Sequence, residues 1–247
     1  MPAVRKALLV LFAVGWMIAC FVPAFPLMVL FPLPRWRLRV AAAYAWAWSR
    51  GCLWAAGIRL EVTGREHLRA RPAVFTFNHT NDLDFFANAV ITPWDTLVFG
   101  KRELARVPFI GWIWLLSGHP MIRRQDRGQW QGVLDRVEAR LATGVYRTVI
   151  APEGTRSKTG VLGPFKKGPF LLAAKTKAPI VPWVIHGAAD LLGRGRVGRG
   201  TLRVEVLPPV DTSGWDPERL DEQLAEVRAR YLAALGQQDP APPPAAS

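Results

Sequence analysis

The sequence predicts an α/β domain, because short apolar segments of strand length alternate with longer amphipathic segments from residue 58 onward. A charge-free stretch at residues 7–33 predicts an apolar helical anchor ahead of that domain. With 247 residues, half of them hydrophobic, the chain is long enough to form one large domain and such an anchor. We divide it into an anchor at 1–57, an α/β domain at 58–236 and a disordered tail at 237–247.

The N-terminal apolar stretch permits three interpretations. It is one kinked transmembrane helix, a re-entrant or interfacial helix that breaks at its prolines, or a cleaved signal peptide. Basic residues flank it on both sides, and no small-residue cleavage site closes it, which disfavours the signal peptide. Since arginines lie at both ends, we expect an anchor held at the cytoplasmic face. The prolines concerned are Pro23, Pro26, Pro32 and Pro34, and the flanking basic residues are Arg5, Lys6, Arg35, Arg37 and Arg39.

The elements that follow alternate in type. A second apolar helix at 40–58, rich in Trp, is either a core helix or the other half of a membrane platform. The last predicted helix is expected to begin with Asp216 as its N-cap and Pro217 at its first position. Strands are predicted at 58–63, 73–77, 96–100, 119–123, 147–151, 179–185 and 202–208. Helices are predicted at 84–92, 101–117 with a break at Pro108, 129–143, 167–177 and 217–235.

The charge balance predicts an anionic partner. The chain carries 32 Lys and Arg against 19 Asp and Glu, a net charge of +13. Such a charge suits nucleic acid, an anionic membrane surface or a phosphorylated substrate. The basic excess coincides with the apolar, Trp-rich N-terminal part, which favours the membrane. Cys20 and Cys52 form no disulfide framework or CxxC motif, which is typical of a reducing compartment.

The stretch 78–84 joins a predicted buried strand to a predicted helix and carries one imidazole and one carboxylate. His79 and Asp84 would not meet within one regular helix, since five residues turn through about 500°. They meet if His79 lies in the turn and Asp84 in the first helical turn, with Asn81 or Asp82 as the N-cap. The hypothesis is a general base oriented by Asp84, and the alternative is a capping or core histidine.

Three further stretches are candidates for phosphate binding. Lys101 lies just past a predicted strand end, and Arg123 and Arg124 end another strand. A turn at 152–157 carries Glu153 to hold an arginine, Gly154 to admit a ligand closely, and Thr155 and Arg156 to surround an anion. Each also has an ordinary interpretation as a solvated surface or a local ion pair. His67, His119 and His186 are expected to be structural, and neither a metal-ligand spacing nor a nucleophile elbow is visible.

These features together suit activation of a hydroxyl on an amphiphilic phosphate for acyl transfer. The chain resembles the glycerolipid acyltransferase family over residues 60–190, where five blocks match in order. Arg123 stands where the family usually has an acidic residue, and residues 80–82 differ from its usual fillers. The blocks are His-x4-Asp at 79–84, Lys-x-Glu-Leu and Pro-Phe-x-Gly-Trp within 99–112, the arginine motif at 118–124, Pro-Glu-Gly-Thr-Arg-Ser at 152–157, and the closing segments 165–168 and 179–182.

The resemblance implies a fold, a mechanism and substrates. The fold would be a mixed, largely parallel sheet flanked by helices. His79 would be the general base and Asp84 its orienting partner. The implied substrate-binding residues are Lys101, Arg124, Glu153, Gly154, Thr155 and Arg156. The three cations among them, Lys101, Arg124 and Arg156, would hold the acceptor phosphate.

The implied acyl donor is a thioester on coenzyme A or acyl carrier protein, with no cofactor and no metal. The implied acceptor is the membrane lipid 1-acylglycerol-3-phosphate, or alternatively another lysophospholipid or a lyso-aminolipid. We expect the enzyme at the cytoplasmic face of the inner membrane, on an anionic surface and without nucleic acid. A basic membrane- or nucleic-acid-binding module without catalysis is the remaining alternative.

Overall fold

The computed structural model describes residues 2–123, 127–157, 159–193 and 196–239. Two short 3-10 helices lie at Arg65–Arg69 and Arg102–Arg106. The helices are α1 Pro2–Leu30, α2 Pro34–Ala56, α3 Leu83–Ile91, α4 Ile110–Ser117, α5 Arg127–Leu141, α6 Gly168–Thr176, α7 Ala188–Leu191 and α8 Leu220–Leu235. The strands are β1 Ile58–Thr63, β2 Ala73–Phe77, β3 Thr96–Val98, β4 Gly100–Lys101, β5 Met121–Ile122, β6 Arg147–Ile150, β7 Ile180–His186, β8 Leu192–Gly193, β9 Arg196–Val197 and β10 Gly200–Val206.

Six strands form the main sheet, in the order β1-β10-β7-β2-β6-β3. All neighbouring pairs are parallel except β10 with β7, so the predicted mixed, largely parallel sheet is confirmed. On the central strand β2, Phe75 pairs with Val149 of β6 and with Val181 of β7. Because β2, β6 and β7 run in the same direction, the segments that follow them emerge at one edge of the sheet.

Helices cover both faces of this sheet. Val74 packs in a core cluster with α5, α6 and α8, whereas Phe75 packs in a second cluster with α2 and α3. Adjacent residues of a strand point to opposite faces, so one strand serves both cores. Burial on both faces explains why β2 and β7 read as continuous apolar segments.

The N-terminal stretch is a single helix, α1, that continues through Pro23 and Pro26. The expected break is therefore absent at Pro23 and Pro26, but the helix ends at Leu30 and α2 begins at Pro34, so the chain does break at Pro32 and Pro34. In the part of the chain that the structure describes, α1 alone is long and apolar enough to cross a membrane. Only 11% of its most apolar window is buried, and that window has a mean hydropathy of 2.4. This exposed apolar flank indicates membrane association.

Helix α2 attaches α1 to the domain. Trp16 of α1 and Trp48 of α2 each donate their indole N–H to a main-chain carbonyl of the other helix, at 3.0 and 2.9 Å. Gly51 allows this approach, since a Cβ there would overlap the Trp16 ring. On its other side Trp48 contacts Phe85 and Phe86 of α3, with ring centroids 5.5 Å apart. Helix α2 is therefore a core helix that also carries the anchor.

The C-terminal part differs from the sequence predictions in two details. Helix α8 begins at Leu220, because Asp216 accepts the N–H of Glu218 and closes a turn before the helix instead of capping it. Gln237, in the segment expected to be disordered, donates to Gly160 and accepts from Leu162. Residues 240–247 lie outside the described residues, and the division into anchor, domain and tail stays a prediction.

Candidate active site

The turn that follows β2 is fixed to β7 by a buried amide. The Asn78 side chain accepts the Ile185 N–H at 2.7 Å and donates to the Ile185 carbonyl at 3.1 Å. It thereby continues the pairing of the two strands past the end of β2. This fixes the position of His79, the next residue. The sequence reasoning gave Asn78 no role, although an Asn between a buried strand and a His is the signal for it.

His79 and Asp84 meet as predicted. The His79 Nδ1 lies 2.9 Å from Asp84 Oδ2, with the imidazole partly exposed and the carboxylate fully buried. A carboxylate accepts hydrogen bonds, so this contact assigns the proton to Nδ1 and leaves Nε2 as the basic nitrogen. A histidine arranged in this way can remove a proton from a hydroxyl placed at Nε2.

The buried Asp84 carboxylate is held by four donors. Oδ2 accepts the His79 Nδ1–H and the N–H groups of Thr80 and Asn81, at 2.5 and 2.9 Å for the latter two. Oδ1 accepts the Thr80 hydroxyl at 3.2 Å. These bonds compensate the loss of water around the charge and fix the carboxylate in one orientation. Asn81 also accepts the N–H of Leu83, so the helix start and the carboxylate are ordered together.

The main chain of His79 is held by the turn that follows β6. Glu153, which is 4% exposed, accepts the His79 N–H on Oε1 at 2.7 Å and the Gly163 N–H on Oε2 at 2.8 Å. The Ser157 N–H donates to the His79 carbonyl at 2.7 Å. Both backbone groups of His79 are therefore fixed by one turn, and Glu153 holds backbone N–H groups instead of the expected arginine.

Glu153 is buried as a carboxyl group whose charge is only partly compensated. Burial raises the pKa of Glu153 above the ordinary range. The hydrogen bonds from the N–H groups of His79 and Gly163, and the His79 charge, act to lower the pKa, whereas the Asp84 charge raises it further. Because the pKa is raised in the folded state, this group's contribution to stability is full below the ordinary carboxyl pKa. It is lost as the pH rises through the raised value.

We expect Glu153→Gln to lower the free energy of unfolding at neutral pH by about 1–3 kcal/mol and to reduce kcat. The amide nitrogen must face one of the two N–H donors, which leaves that donor unpaired. The stability loss on raising the pH through the carboxyl range should also disappear, because the amide does not titrate. Chemical unfolding of the detergent-solubilised enzyme at several pH values measures both effects. The matched control is Glu226→Gln, an exposed glutamate of α8 paired with Arg230. Wild-type stability and turnover in Glu153→Gln would contradict the role of this residue.

Arg156 lies beside the start of α3 and pairs with Asp82 there. Its Nη1 is 2.8 Å from Asp82 Oδ1, and both side chains are substantially exposed. Asp82 occupies the N-cap position of α3 without a side-chain capping bond. The acid that holds the arginine is thus Asp82. Gly154 adopts φ 67°, a value that favours glycine, and turns the chain so that Thr155 and Arg156 are exposed.

A family model described as Acyltransferase matches residues 59–186, just over half of the chain. The chain belongs to the acyltransferase family. The matched segment runs from β1 to β7 and contains His79, Asp84, Glu153 and Arg156.

Two curated relatives of this acyltransferase carry the same name. A 1-acyl-sn-glycerol-3-phosphate acyltransferase of Cocos nucifera is 29% identical over 211 residues, which cover 85% of this chain and 68% of that protein. A protein of the same name from Saccharomyces cerevisiae is 33% identical over 183 residues, covering 72% of this chain and 60% of that protein.

A solved structure shares the fold of this acyltransferase. The 1-acyl-sn-glycerophosphate (LPA) acyltransferase PlsC from Thermotoga maritima superposes with a TM-score of 0.75. The superposition covers 97% of this chain and 100% of that chain, at 22% sequence identity. The likeness includes the helical N-terminal part as well as the sheet.

Of the other two predicted phosphate-binding cations of the acyltransferase, the structure describes only Lys101. Lys101 pairs with Ile122 in the short β4–β5 ladder, which brings the exposed Arg123 near it in the fold. Among the described residues, Lys101 makes no hydrogen bond or ion pair with His79 or Arg156. Arg124 lies outside the described residues. The roles of Lys101 and Arg124 therefore stay predictions.

The Pro-Phe-x-Gly-Trp block of the acyltransferase docks the anchor, a role that the sequence reasoning did not assign. The rings of Phe109 and Trp112 lie 5.0 and 5.7 Å from Phe21 of α1. Gly111 is required because a Cβ would overlap the Ala105 carbonyl oxygen. Phe109 itself adopts φ 64°, which is unusual for a non-glycine residue. The repeated aromatic residues of this block are the sequence signal for an apolar contact.

His119 has the structural role that was expected of it. Its half-buried ring packs against Trp114, with centroids 5.0 Å apart, and Nδ1 accepts the Val98 N–H at 3.2 Å. Burial, with a smaller effect of the Arg140 charge, lowers its pKa to about 3. The ring is therefore neutral at physiological pH and braces the end of β3.

Proposed function

We propose that this acyltransferase moves a fatty acyl group from a thioester of coenzyme A or acyl carrier protein to the free sn-2 hydroxyl of 1-acylglycerol-3-phosphate. The product is phosphatidic acid. The observation that carries the proposal is the 2.9 Å contact of His79 Nδ1 with the buried Asp84 carboxylate. The names of the curated relatives support the choice of acceptor.

In the proposed mechanism, His79 Nε2 takes the proton of the acceptor hydroxyl as its oxygen attacks the thioester carbonyl carbon. The resulting imidazolium is stabilised by Asp84, which accepts the Nδ1–H. The tetrahedral intermediate then collapses, the carbon–sulfur bond breaks, and the departing thiolate takes the proton from His79. A thioester is sufficiently activated for this step to proceed without a metal or other cofactor.

Arg156 is the proposed ligand of the acceptor phosphate. Its guanidinium is partly exposed and contacts Asp82, which lies two residues before Asp84. A planar guanidinium donates two parallel bonds to a phosphate. The Asp82 carboxylate already contacts this guanidinium, so a bound phosphate would compete with Asp82 for the arginine. Lys101 and Arg124 are proposed to add positive charge around the same phosphate, while Glu153, Gly154 and Thr155 shape the turn that presents Arg156.

Substitutions of the two partners are expected to act in opposite directions on acceptor binding. Arg156→Ala should raise the KM for the acceptor about tenfold or more, because a charged hydrogen bond contributes about 1.5–3 kcal/mol. Asp82→Asn should lower that KM by up to about fivefold, because an exposed ion pair of up to about 1 kcal/mol no longer competes. Initial-rate kinetics with the acceptor varied at a saturating acyl donor measure both.

The acyl donor provides the control for this pair. Its KM should stay close to the wild-type value in both variants. A rise in the donor KM alone in Arg156→Ala would contradict the assignment of this residue to the acceptor phosphate. An Asp82→Asn enzyme whose acceptor KM rises would show that Asp82 positions the arginine productively instead of competing for it.

The identity of the acceptor and the donor is tested by one panel. Lysophosphatidic acid is compared with other lysophospholipids and with a lyso-aminolipid, each with acyl-CoA and with acyl carrier protein. Arg123 is an exposed basic residue at a position where the glycerolipid acyltransferase family usually has an acidic one. This difference favours an acceptor headgroup other than that of lysophosphatidic acid. Preference for lysophosphatidic acid supports the proposal, and preference for another acceptor replaces it with acyl transfer to that lipid.

We propose the cytoplasmic face of the inner membrane as the location of the enzyme. Helix α1 exposes an apolar flank, and basic residues lie at both of its ends. An acceptor lipid in the same leaflet would reach the enzyme without leaving the bilayer. The basic charge of the N-terminal part supports attraction to an anionic membrane surface.

A further inference from the structure

A cluster of arginines lies at the edge of the sheet opposite the active site. Asp95 immediately precedes β3, and it is 8% exposed by its side chain. Arg39 donates to both of its oxygens, at 3.0 and 3.2 Å. Arg71 lies 3.4 Å from Oδ2, and Arg35 lies 3.6 Å from the same atom. We call these four residues the Asp95 cluster.

The Asp95 cluster carries more positive charge than its carboxylate can neutralise. Three guanidinium groups face one carboxylate, so the net charge is +2 (3 − 1). Burial raises the pKa of the Asp95 carboxyl, but the hydrogen bond of Arg39 and the charges of Arg39, Arg35 and Arg71 outweigh it and lower the pKa overall. Asp95 is thus ionised and the excess of +2 persists at neutral pH.

Among the residues that the structure describes, the arginines keep donors at the surface that no protein group uses. Arg39 uses Nε and Nη2 on Asp95, which leaves Nη1. Arg71 uses Nε on the Val145 carbonyl and Nη2 on Asp95, which also leaves Nη1. The three side chains are 47%, 48% and 33% exposed for Arg35, Arg39 and Arg71.

Exposed apolar side chains lie close to members of the cluster along the chain. Phe31, Leu33 and Trp36 lie in or beside the link between α1 and α2, and each is at least 40% exposed. Trp94, the neighbour of Asp95, is 51% exposed. The link follows directly on the apolar flank of α1, which ends at Leu30. Arginines and aromatic rings at the end of an apolar helix are typical of the level of lipid headgroups.

We propose that the Asp95 cluster binds the phosphate of an anionic phospholipid headgroup, at a lipid site separate from the acceptor site. The unused Nη donors contact the phosphate oxygens, and the rings contact the glycerol and upper acyl region. A net charge of +2 favours a headgroup with a net negative charge, because the ammonium of a choline headgroup would be repelled. The proposal rests on the proposed membrane location and not on the proposed acyl transfer.

The test uses the full chain in a neutral detergent, titrated with short-chain phosphatidylglycerol and, separately, with phosphatidylcholine of the same chain length. The readout is the thermal unfolding temperature as a function of lipid concentration. Wild-type enzyme should show a saturable rise with phosphatidylglycerol and little change with phosphatidylcholine. The double variant Arg35→Gln/Arg39→Gln should bind phosphatidylglycerol about tenfold more weakly or worse. It should keep its acyl transfer rate in neutral detergent.

Three controls make the result specific. Arg59→Gln removes an exposed arginine of β1 that pairs with Glu61, and it should respond as wild type. Arg156→Gln should also respond as wild type, since the lipid does not occupy the acceptor site. Inorganic phosphate should give no comparable rise. If the double variant fails to fold, Arg35→Gln alone replaces it, because its contact with Asp95 is the longest of the three.

Several results would overturn the proposal. These are an equal response to both lipids, an unchanged response in the cluster variants, and an equal response to inorganic phosphate, which would indicate a free-phosphate site. Loss of the response in Arg156→Gln would assign the lipid to the active site. Loss of acyl transfer in that variant, with the lipid response intact, would concern the proposed function alone.

Discussion

His79→Ala is expected to abolish measurable acyl transfer, a loss in kcat of at least about a thousandfold. The variant loses Nε2, the only basic atom proposed to take the proton of the acceptor hydroxyl. It keeps the fold, because the contacts of His79 with Glu153 and Ser157 use its main-chain N–H and carbonyl and not the ring. Transfer of a labelled acyl group to lysophosphatidic acid measures the loss.

The loss must be separable from a folding defect. The unfolding temperature and the membrane-bound fraction of His79→Ala should stay close to wild type. His186→Ala serves as a matched control, since it removes a partly exposed imidazole that lies 3.5 Å from Glu205 on the sheet. Wild-type turnover in His79→Ala would show that the general-base role is wrong, and equal losses in both variants would point to a general structural effect.

Asp84→Asn is expected to lower kcat by about a hundred- to ten-thousandfold. Asp84 Oδ2 accepts from the imidazole and from two main-chain N–H groups, whereas an amide offers only one oxygen. If that oxygen takes the Oδ2 position, it still accepts these bonds but carries no charge to stabilise the imidazolium. If the amide nitrogen takes that position, it faces the N–H groups and selects the wrong tautomer of His79.

The kinetic pattern distinguishes this role from a loss of binding. The acceptor KM of Asp84→Asn should change little while kcat falls, because the fully buried carboxylate offers no surface to a substrate. Asp82→Asn is the matched control two residues earlier, where the same chemical change should leave kcat near wild type. An Asp84→Asn enzyme with unchanged kcat and a raised acceptor KM would contradict the orienting role.

The sequence predicted the sheet well where strands are buried on both faces. β2 has the predicted bounds, because a buried apolar segment between turn residues has few other solutions in an α/β chain. The edge strand β1 also has the predicted bounds, which its alternating apolar and polar residues indicate. The sequence did not decide whether the N-terminal helix breaks at its prolines. Proline removes one helical hydrogen bond, and whether the helix breaks there depends on what covers it. Here Phe21, Ala24 and Met28 are buried beside the two prolines, and the helix continues.

The candidate site was predicted in its local part. His79 and Asp84 are five residues apart, so turn and helix geometry suffice to bring them together. The role of Glu153 was not predictable, because its partners are main-chain N–H groups, one of them 74 residues away. Every residue except proline has such a donor, so no residue type in the sequence indicates the contact. The expectation that Glu153 holds an arginine was wrong for a related reason, since the acid that pairs with Arg156 is Asp82, which comes from another turn.

The attachment of His79 to the turn after β6 has a consequence for biosynthesis. Because a chain emerges from the ribosome with its N-terminus leading, α1 and α2 are exposed long before residue 153 is made. His79 and Asp84 can pair early, but the main chain of His79 acquires its fixed position only when Glu153 and Gly163 have been added. In the proposed mechanism, the apolar helix α1 is therefore complete before the main chain of the proposed base is fixed.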